Sequence, residues 1–367
     1  ILKRISILNY KNLEQVELNF SAKLNCFFGQ NGMGKTNLLD AVYFLSFCKS
    51  AGNPIDSQNI RHEQDFFVIQ GFYEAADGTP EEIYCGMKRR SKKQFKRNKK
   101  EYSRLSDHIG FVPLVLVSPA DSELIRGGSD ERRKFLDLVI SQFDKDYLNT
   151  LIRYNKALAQ RNALLKDEVT EASLYEIWEE QMSLYGSSIY NSRKAFLQEF
   201  TPVFQEFYDY ISIGSEEVKL EYTSDIVQGD LSKQLASVRD RDRILGYTTR
   251  GIHRDDLEMK LGEYPMKRIG SQGQNKTFLV ALKLAQFDFL NKNGTTPILL
   301  LDDIFDKLDA HRVERIIKLV SGERFGQIFI TDTNRKYLDE IIKQTGNSYH
   351  LYNVDNGNIT RSKEDAL

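Results

Sequence analysis

Residues Gly29 to Thr36 read Gly-Gln-Asn-Gly-Met-Gly-Lys-Thr and fit the spacing G-x-x-x-x-G-K-[ST] of a phosphate-binding loop. Each residue type has a chemical reason to be there. Gly29, Gly32 and Gly34 let the backbone turn tightly enough for successive N–H groups to face an anion, and Gln30, Asn31 and Met33 complete the expected nucleotide-binding set. The Lys35 ammonium is expected to reach the β- and γ-phosphates, and the Thr36 hydroxyl to sit on the Mg²⁺ that bridges them. A chance glycine-rich turn is the bland alternative. A strand pattern before the loop and a helix pattern after it argue against that alternative.

A second chemical signal stands far downstream. Ile298 to Leu301 is a wholly apolar run that ends in Asp302 and Asp303. Read as a strand, it places Asp302 to hold the Mg²⁺ shell and Asp303 to orient or deprotonate an attacking water. The candidate catalytic residues are therefore Asp303 and Lys35, and the candidate metal residues Thr36 and Asp302. Two aspartates can also merely end a strand, a reading the phosphate loop disfavours.

The elements that must position these residues are legible around them. Leu24, Cys26 and Phe28 alternate as in a buried strand, and Leu38, Leu39, Val42, Phe44 and Leu45 recur at helical spacing. Ile5 and Ile7, then Val16, Leu18 and Phe20, predict two strands about a turn at Asn9 to Asn12. Strands at Phe66–Tyr73 and Ile83–Met87, joined through Asp77 and Gly78, predict a meander. Val112–Val117, Ile298–Leu301 and Gln327–Ile330 complete a parallel sheet, so the expected class is α/β.

From Ser129 to Tyr210 the pattern is helical instead. Tyr147, Leu151, Tyr154, Leu158 and Leu165 form one apolar stripe; Leu174, Trp178, Met182, Tyr185, Ile189, Phe196, Phe200 and Phe207 form another. Asp167 to Glu171 separates the two stripes, which predict an antiparallel helical arm, and Pro202 is expected to kink or interrupt its last turns. The alternative is that both stripes pack on the main core. The organisation expected is an ATPase head from residues 1–130 and 213–367, with a helical arm at 131–212 inserted.

Composition sets the outer bounds. The 367 residues are 41% hydrophobic and 28% charged with a net charge of −1, a globular chain long enough for two domains. Cys26, Cys48 and Cys85 are too few and too scattered for a disulfide framework or a zinc site. No apolar run approaches a membrane span and no signal-peptide pattern opens the chain, which reads as cytoplasmic. Charge is nonetheless uneven: nine of the thirteen residues from Lys88 to Lys100 are Lys or Arg. A solvated hairpin tip is one reading of that block. The other is contact with a nucleic-acid backbone through Lys92, Lys93, Lys96, Arg97, Lys99 and Lys100, driven by counterion release.

Five ordered motifs carry a likeness to a known family. They are Gly29 to Leu39, Ser118 and Pro119 with the Arg132–Asp137 run, His253 to Leu257, Ser271 to Thr277, and Leu300 to Asp309. Through them nearly the whole chain resembles the RecF family, bacterial recombination mediators built on the ATP-binding-cassette head shared with the SMC proteins. The resemblance implies that Ser271, Gln272, Gly273 and Gln274 form a signature segment that completes the nucleotide site of a second subunit. Asp309 would lie in the loop crossing that interface, and ATP would join a head-to-head homodimer. The implied activity is weak, DNA-stimulated, Mg²⁺-dependent ATP hydrolysis. Implied partners are double-stranded DNA, single-strand/duplex junctions and the mediators RecR and RecO. The implied task is loading recombinase at single-strand gaps during replication, recombination and repair.

Three positions depart from the family pattern. Ile252 stands where proline is common, and Asp332 stands where transporter cassettes carry a switch histidine. The loop from Lys49 to Pro54 lacks the usual arginine, which leaves Lys49 or Arg61 to approach the phosphates. Two rival classes make different demands. A transporter's nucleotide-binding subunit would need a membrane-subunit surface, and an ATP-binding interaction protein would show no salt-dependent DNA binding.

Overall fold

The computed structural model describes residues 1–214, 216–294, 296–346 and 348–362; the expected boundary at residue 367 lies outside them. The chain opens with strands β1 (Leu2–Tyr10), β2 (Leu13–Asn19) and β3 (Leu24–Phe28) and helix α1 (Lys35–Phe47). Strands β4 (Phe66–Glu74), β5 (Pro80–Lys88), β6 (Gln94–Arg97), β7 (Lys100–Glu101) and β8 (Leu114–Val117) follow. Then come helices α2 (Glu123–Arg126), α3 (Ser129–Phe143), α4 (Lys145–Lys166) and α5 (Ala172–Ser212). Next are β9 (Val218–Thr223), α6 (Leu231–Ser237), α7 (Arg239–Leu245), β10 (Asp256–Leu261) and β11 (Tyr264–Pro265). The last elements are α8 (Gln272–Lys292), β12 (Ile298–Asp302), α9 (Ala310–Ser321), β13 (Ile328–Asp332), α10 (Arg335–Thr345), β14 (Tyr349–Asp355) and β15 (Asn358–Arg361).

These elements form two compact units. The head comprises Ile1–Asp121, Tyr210–Ser212 and the chain from Lys276 onward; the helical unit comprises Ser122–Asp209 and Ile213–Asn275. In the head, an antiparallel sheet of order β2-β1-β4-β5-β6-β7 accompanies a second sheet of order β15-β14-β3-β13-β12-β8. Strands β14, β3, β13, β12 and β8 run parallel, as the apolar strand runs predict. Asp302 pairs with Thr331 and Asp332 with Phe28, so the carboxyl ends of β3, β12 and β13 converge. Open α/β sheets bind their ligands at such an edge.

Strand β3 is apolar-in on both faces rather than alternating. Asn25 and Phe27 are as buried as Leu24 and Cys26, because a central parallel strand is covered from both sides. Asn25 is tolerated there because its side chain closes on one neighbour, accepting from Ser21 N (2.8 Å) and donating to Ser21 O (3.0 Å).

In the helical unit the boundary expected at residue 212 moves to 275, and buried arginines give the physical reason. Arg161 of α4, fully buried, donates to Asp242 Oδ2 (2.7 Å), Thr248 Oγ1 (2.9 Å) and Leu235 O (3.0 Å). Arg193 of α5 reaches Asp137 (2.9 Å), the Tyr147 hydroxyl (3.0 Å), Ile252 O (3.2 Å) and Asp255 Oδ2 (3.4 Å). A guanidinium taken out of water needs such partners, and the segment after 213 supplies all three named for Arg161 and two of the four for Arg193. Helix α5 also runs unbroken through Pro202. Thr201 Oγ1 donates to Leu197 O (2.7 Å), and buried Phe200 and Phe204 hold the flanking turns by packing.

His253 belongs to the same polar interior. Its Nε2 faces Thr248 O (3.0 Å), which fixes the proton there, so Nδ1 accepts from the Tyr154 hydroxyl (2.8 Å). Burial holds this imidazole down at about 4, against an ordinary value of 6.5. Between those values the unfolded chain binds more protons, so stability present above pH 6.5 is lost as pH falls toward 4. Burial meanwhile pushes the Asp255 carboxyl up to about 6, with the opposite slope. Because Asp255 is common to both proteins, the stability gap between wild type and His253→Gln is expected to shrink by roughly 2 kcal/mol from about pH 7 to about pH 4.5. Urea unfolding at the two pH values checks this. A gap independent of pH would place the imidazole in solvent.

Candidate nucleotide site

The phosphate loop leaves β3 at Phe28 and enters α1 at Lys35. Gly34 caps the helix at φ 118° and offers no side chain to its first-turn N–H groups, which suits them to an anion as their partner. Gln30, Asn31, Gly32, Gly34, Lys35, Thr36, Asn37 and Asp303 line a cavity of about 120 Å³. Lys35 is nearly fully buried, and its ammonium donates to Gly29 O and to Gln30 O (3.2 Å). The loop is thus folded around its own cation.

The two carboxylates take different positions. Asp302, buried at the end of β12, accepts from Thr36 Oγ1 (2.9 Å to Oδ2) and from Thr331 Oγ1 (2.6 Å to Oδ1). A threonine hydroxyl beside a carboxylate is an all-oxygen donor pair that fits Mg²⁺. Among the described residues no cluster of three or more His, Cys, Asp or Glu could cage a metal, so further ligands would come from phosphates and water. Asp303, one residue on, is half-buried with φ 48° in the left-handed region. Burial raises its pKa against the pull of Lys35, which favours a carboxylate ready to accept a proton. Asp332 is raised by burial too, and its Oδ1 accepts from Asn334 N (2.6 Å).

The loop is braced from behind by residues the sequence reading missed. Asn12 Oδ1 accepts from Asn37 Nδ2 (2.7 Å), and Asn12 O accepts from Arg61 (2.8 Å). Arg61 therefore grips the brace, while Lys49 is exposed beyond the end of α1; neither lines the cavity. The turn between β14 and β15 closes on the same place: Gly357 N donates to Met33 O (2.7 Å), and a Cβ on Gly357 would lie 2.3 Å from Asn12 O. Asn356-Gly357 between two strands is a strong hairpin signal that could have revealed this brace. With φ +80° and no room, Gly357→Val is expected to cost at least about tenfold in ATP affinity through a loosened loop. Equilibrium dialysis with labelled ATP reads it, and unchanged affinity would remove the hairpin from the site.

The remaining expected residues fall into two groups. Ser271 is exposed and caps α8 reciprocally, its Oγ accepting from Gln274 N (3.2 Å) while Gln274 Oε1 accepts from Ser271 N (3.3 Å). Asp309, also exposed, caps α9 by accepting from Arg312 N (2.9 Å). Ser271, Gly273, Gln274 and Asp309 are not among the cavity's lining residues. The cations of the basic hairpin differ in their surroundings. Lys93 is turned inward onto Asp56 Oδ2 (2.7 Å) and Cys48 O (2.6 Å), and Arg97 is held bidentate by Glu81 beneath the Phe111 ring. Both cations are spent on carboxylates of the head. Lys92, Lys99 and Lys100 are exposed, and Lys96 lies over the Tyr84 ring.

The family model described as RecF/RecN/SMC N terminal domain matches residues 1–360. A DNA replication and repair protein RecF of Bacteroides fragilis is 72% identical over 366 residues, covering 99% of each chain. The chain belongs to the RecF family. RecF of Bacteroides thetaiotaomicron is 71% identical, with 98% of each chain covered. Among solved structures, the recombination mediator protein RecF with ATP, described in the RecFOR pathway, superposes with a TM-score of 0.88 at 30% identity, covering 98% of this chain and 97% of that one. An SMC head at 14% identity and a TM-score of 0.60 shares the fold. The head is thus the ABC-type ATPase head of RecF and SMC proteins. No helix among the described residues is long and apolar enough to cross a membrane.

Proposed function

We propose that this RecF-family chain is an ATP-dependent DNA-binding clamp. The observation that supports the reading is one cavity lined by Lys35, Thr36 and Asp303, with Asp302 hydrogen-bonded to the Thr36 hydroxyl behind it, in a RecF fold. Lys35 binds the β- and γ-phosphates and Asp303 takes the proton of the attacking water, while Thr36 and Asp302 would hold Mg²⁺, which supplies charge neutralisation when bound. Ser271, Gly273 and Gln274, with Asp309, complete the nucleotide site of a second copy, so ATP is sandwiched in a homodimer. Hydrolysis is weak, stimulated by DNA, and releases the clamp. The dimer holds duplex DNA and single-strand/duplex junctions in the cytoplasm and, with RecR and RecO, loads recombinase at gaps. The whole helical unit, rather than residues 131–212 alone, serves as the arm.

The experiment separates binding from gripping. Ser271→Ala is expected to keep ATP affinity and lose the ATP-dependent dimer, since the serine hydroxyl acts on the partner's nucleotide. Replacing Lys92, Lys96, Lys99 and Lys100 together with alanine is expected to weaken duplex binding at least about tenfold at about 50 mM salt and to flatten the salt dependence by roughly one unit of slope per lost phosphate contact. A Ser271→Ala protein that still dimerises would overturn the signature role. An unchanged salt slope would move the DNA contact elsewhere.

A further inference from the structure

Lys276 stands where α8 enters the head, five residues after Ser271. Its ammonium donates to Asp306 O (2.5 Å) and lies 3.5 Å from Asp303 O. Both carbonyls belong to the turn that follows β12 and carries the candidate base. That turn is backbone-strained at two places, with φ 48° at Asp303 and 64° at Lys307, both outside the region non-glycine residues favour. Strain of this kind persists only when surrounding bonds over-determine it. On the amide side, Asp303 N donates to Thr331 O and to Thr331 Oγ1, both at 3.2 Å. On the carbonyl side, Lys276 is the grip.

The lysine bears a cost for being there. Burial lowers its pKa, with Asp306 and Asp303 opposing that shift. A half-buried ammonium spent on two backbone carbonyls is an expensive way to stabilise a loop, and a reasonable way to fix the direction of the side chain between them. Helix α8 starts within the Ser271–Gln274 cap and carries Lys276 in its second turn, so the signature end and this ammonium lie on one helix.

We infer that Lys276 is a positioning residue for hydrolysis: it fixes the left-handed turn of Asp303, and thereby ties the carboxylate of one nucleotide site to the signature end of the same chain. This rests on the reading of Asp303 as the base for ATP hydrolysis. The role requires no contact between Lys276 and nucleotide. A second copy that engages Ser271 would act on hydrolysis through α8 and this ammonium.

The test uses the full chain with Mg²⁺ and ATP, in single-turnover decay of labelled ATP with protein in excess, beside equilibrium ATP binding. Lys276→Met is expected to leave ATP affinity within about threefold and slow hydrolysis at least about tenfold, a split that simple loosening of the fold would not give. Lys276→Arg, which can still donate to both carbonyls, is expected to restore most of the rate. In an Asp303→Asn background, Lys276→Met is expected to add no further loss, because it acts through that side chain. Full-rate hydrolysis by Lys276→Met overturns the inference, as do an additive loss in the double variant and weakened ATP binding in both the Met and Arg variants. If instead Asp303→Asn alone hydrolyses at the wild-type rate, the assignment of the base fails first, and the two failures are distinguished.

Discussion

Asp303→Asn is expected to slow ATP hydrolysis by about 10²–10⁴-fold, the range associated with losing a positioned general base, while ATP affinity stays within about threefold. The asymmetry follows from where Asp303 sits. Lys35, the α1 N-terminus and the loop backbone are the groups proposed to hold the phosphates, whereas Asp303 lines the same cavity from the turn after β12, where Thr331 and Lys276 bond its backbone. The amide of asparagine is nearly the same size and keeps the strained turn, because Asn tolerates left-handed backbone as Asp does. It cannot accept a proton. Single-turnover decay with excess protein measures the rate, and equilibrium dialysis the affinity. Wild-type turnover in this variant would assign proton acceptance to another group.

Arg161→Met is expected to destabilise the helical unit by about 3–5 kcal/mol, the cost typical of breaking a buried pair by removing one partner. Methionine fills much of the volume but leaves Asp242, itself fully buried, without its guanidinium; Thr249 Oγ1 still donates to that carboxylate (2.6 Å), a neutral donor in place of a cation. Leu235 O and Thr248 Oγ1 lose a donor in the same step. Trp178, the single tryptophan, precedes Glu179, whose carboxylate is 3.9 Å from Arg161 Nε, so its fluorescence during urea unfolding reports this unit selectively. A loss below about 1 kcal/mol would mean that Asp242 is reached by water.

What was legible in the sequence was what is local. The phosphate loop, the Asp302-Asp303 strand end and the Ser271 cap each lie within a short run whose order and periodicity suffice to read them. Strand pairing through Asp77-Gly78 and the helical stretch from Ser129 were legible for the same reason. The brace behind the loop was not, because Asn12, Arg61 and Gly357 come from distant parts of the chain and meet only in the folded head. The helical unit's true extent was hidden by its arginines. Arg161 and Arg193 sit in amphipathic stripes where a charge ordinarily faces water, and their pairing with Asp242, Asp137 and Asp255, all distant in the chain, shows that these two do not. Composition likewise could not separate Lys93, turned onto Asp56, from its exposed neighbour Lys92.

Sedimentation velocity of the full chain with Mg²⁺, with and without ATP, tests the clamp most directly. Asp303→Asn serves as the slow-hydrolysing form, and duplex DNA is added at two salt concentrations. The account predicts a monomer without nucleotide, a dimer with ATP, and a dimer that retains duplex DNA at low salt and releases it at high salt. A chain that binds ATP yet remains monomeric and holds no DNA would contradict it.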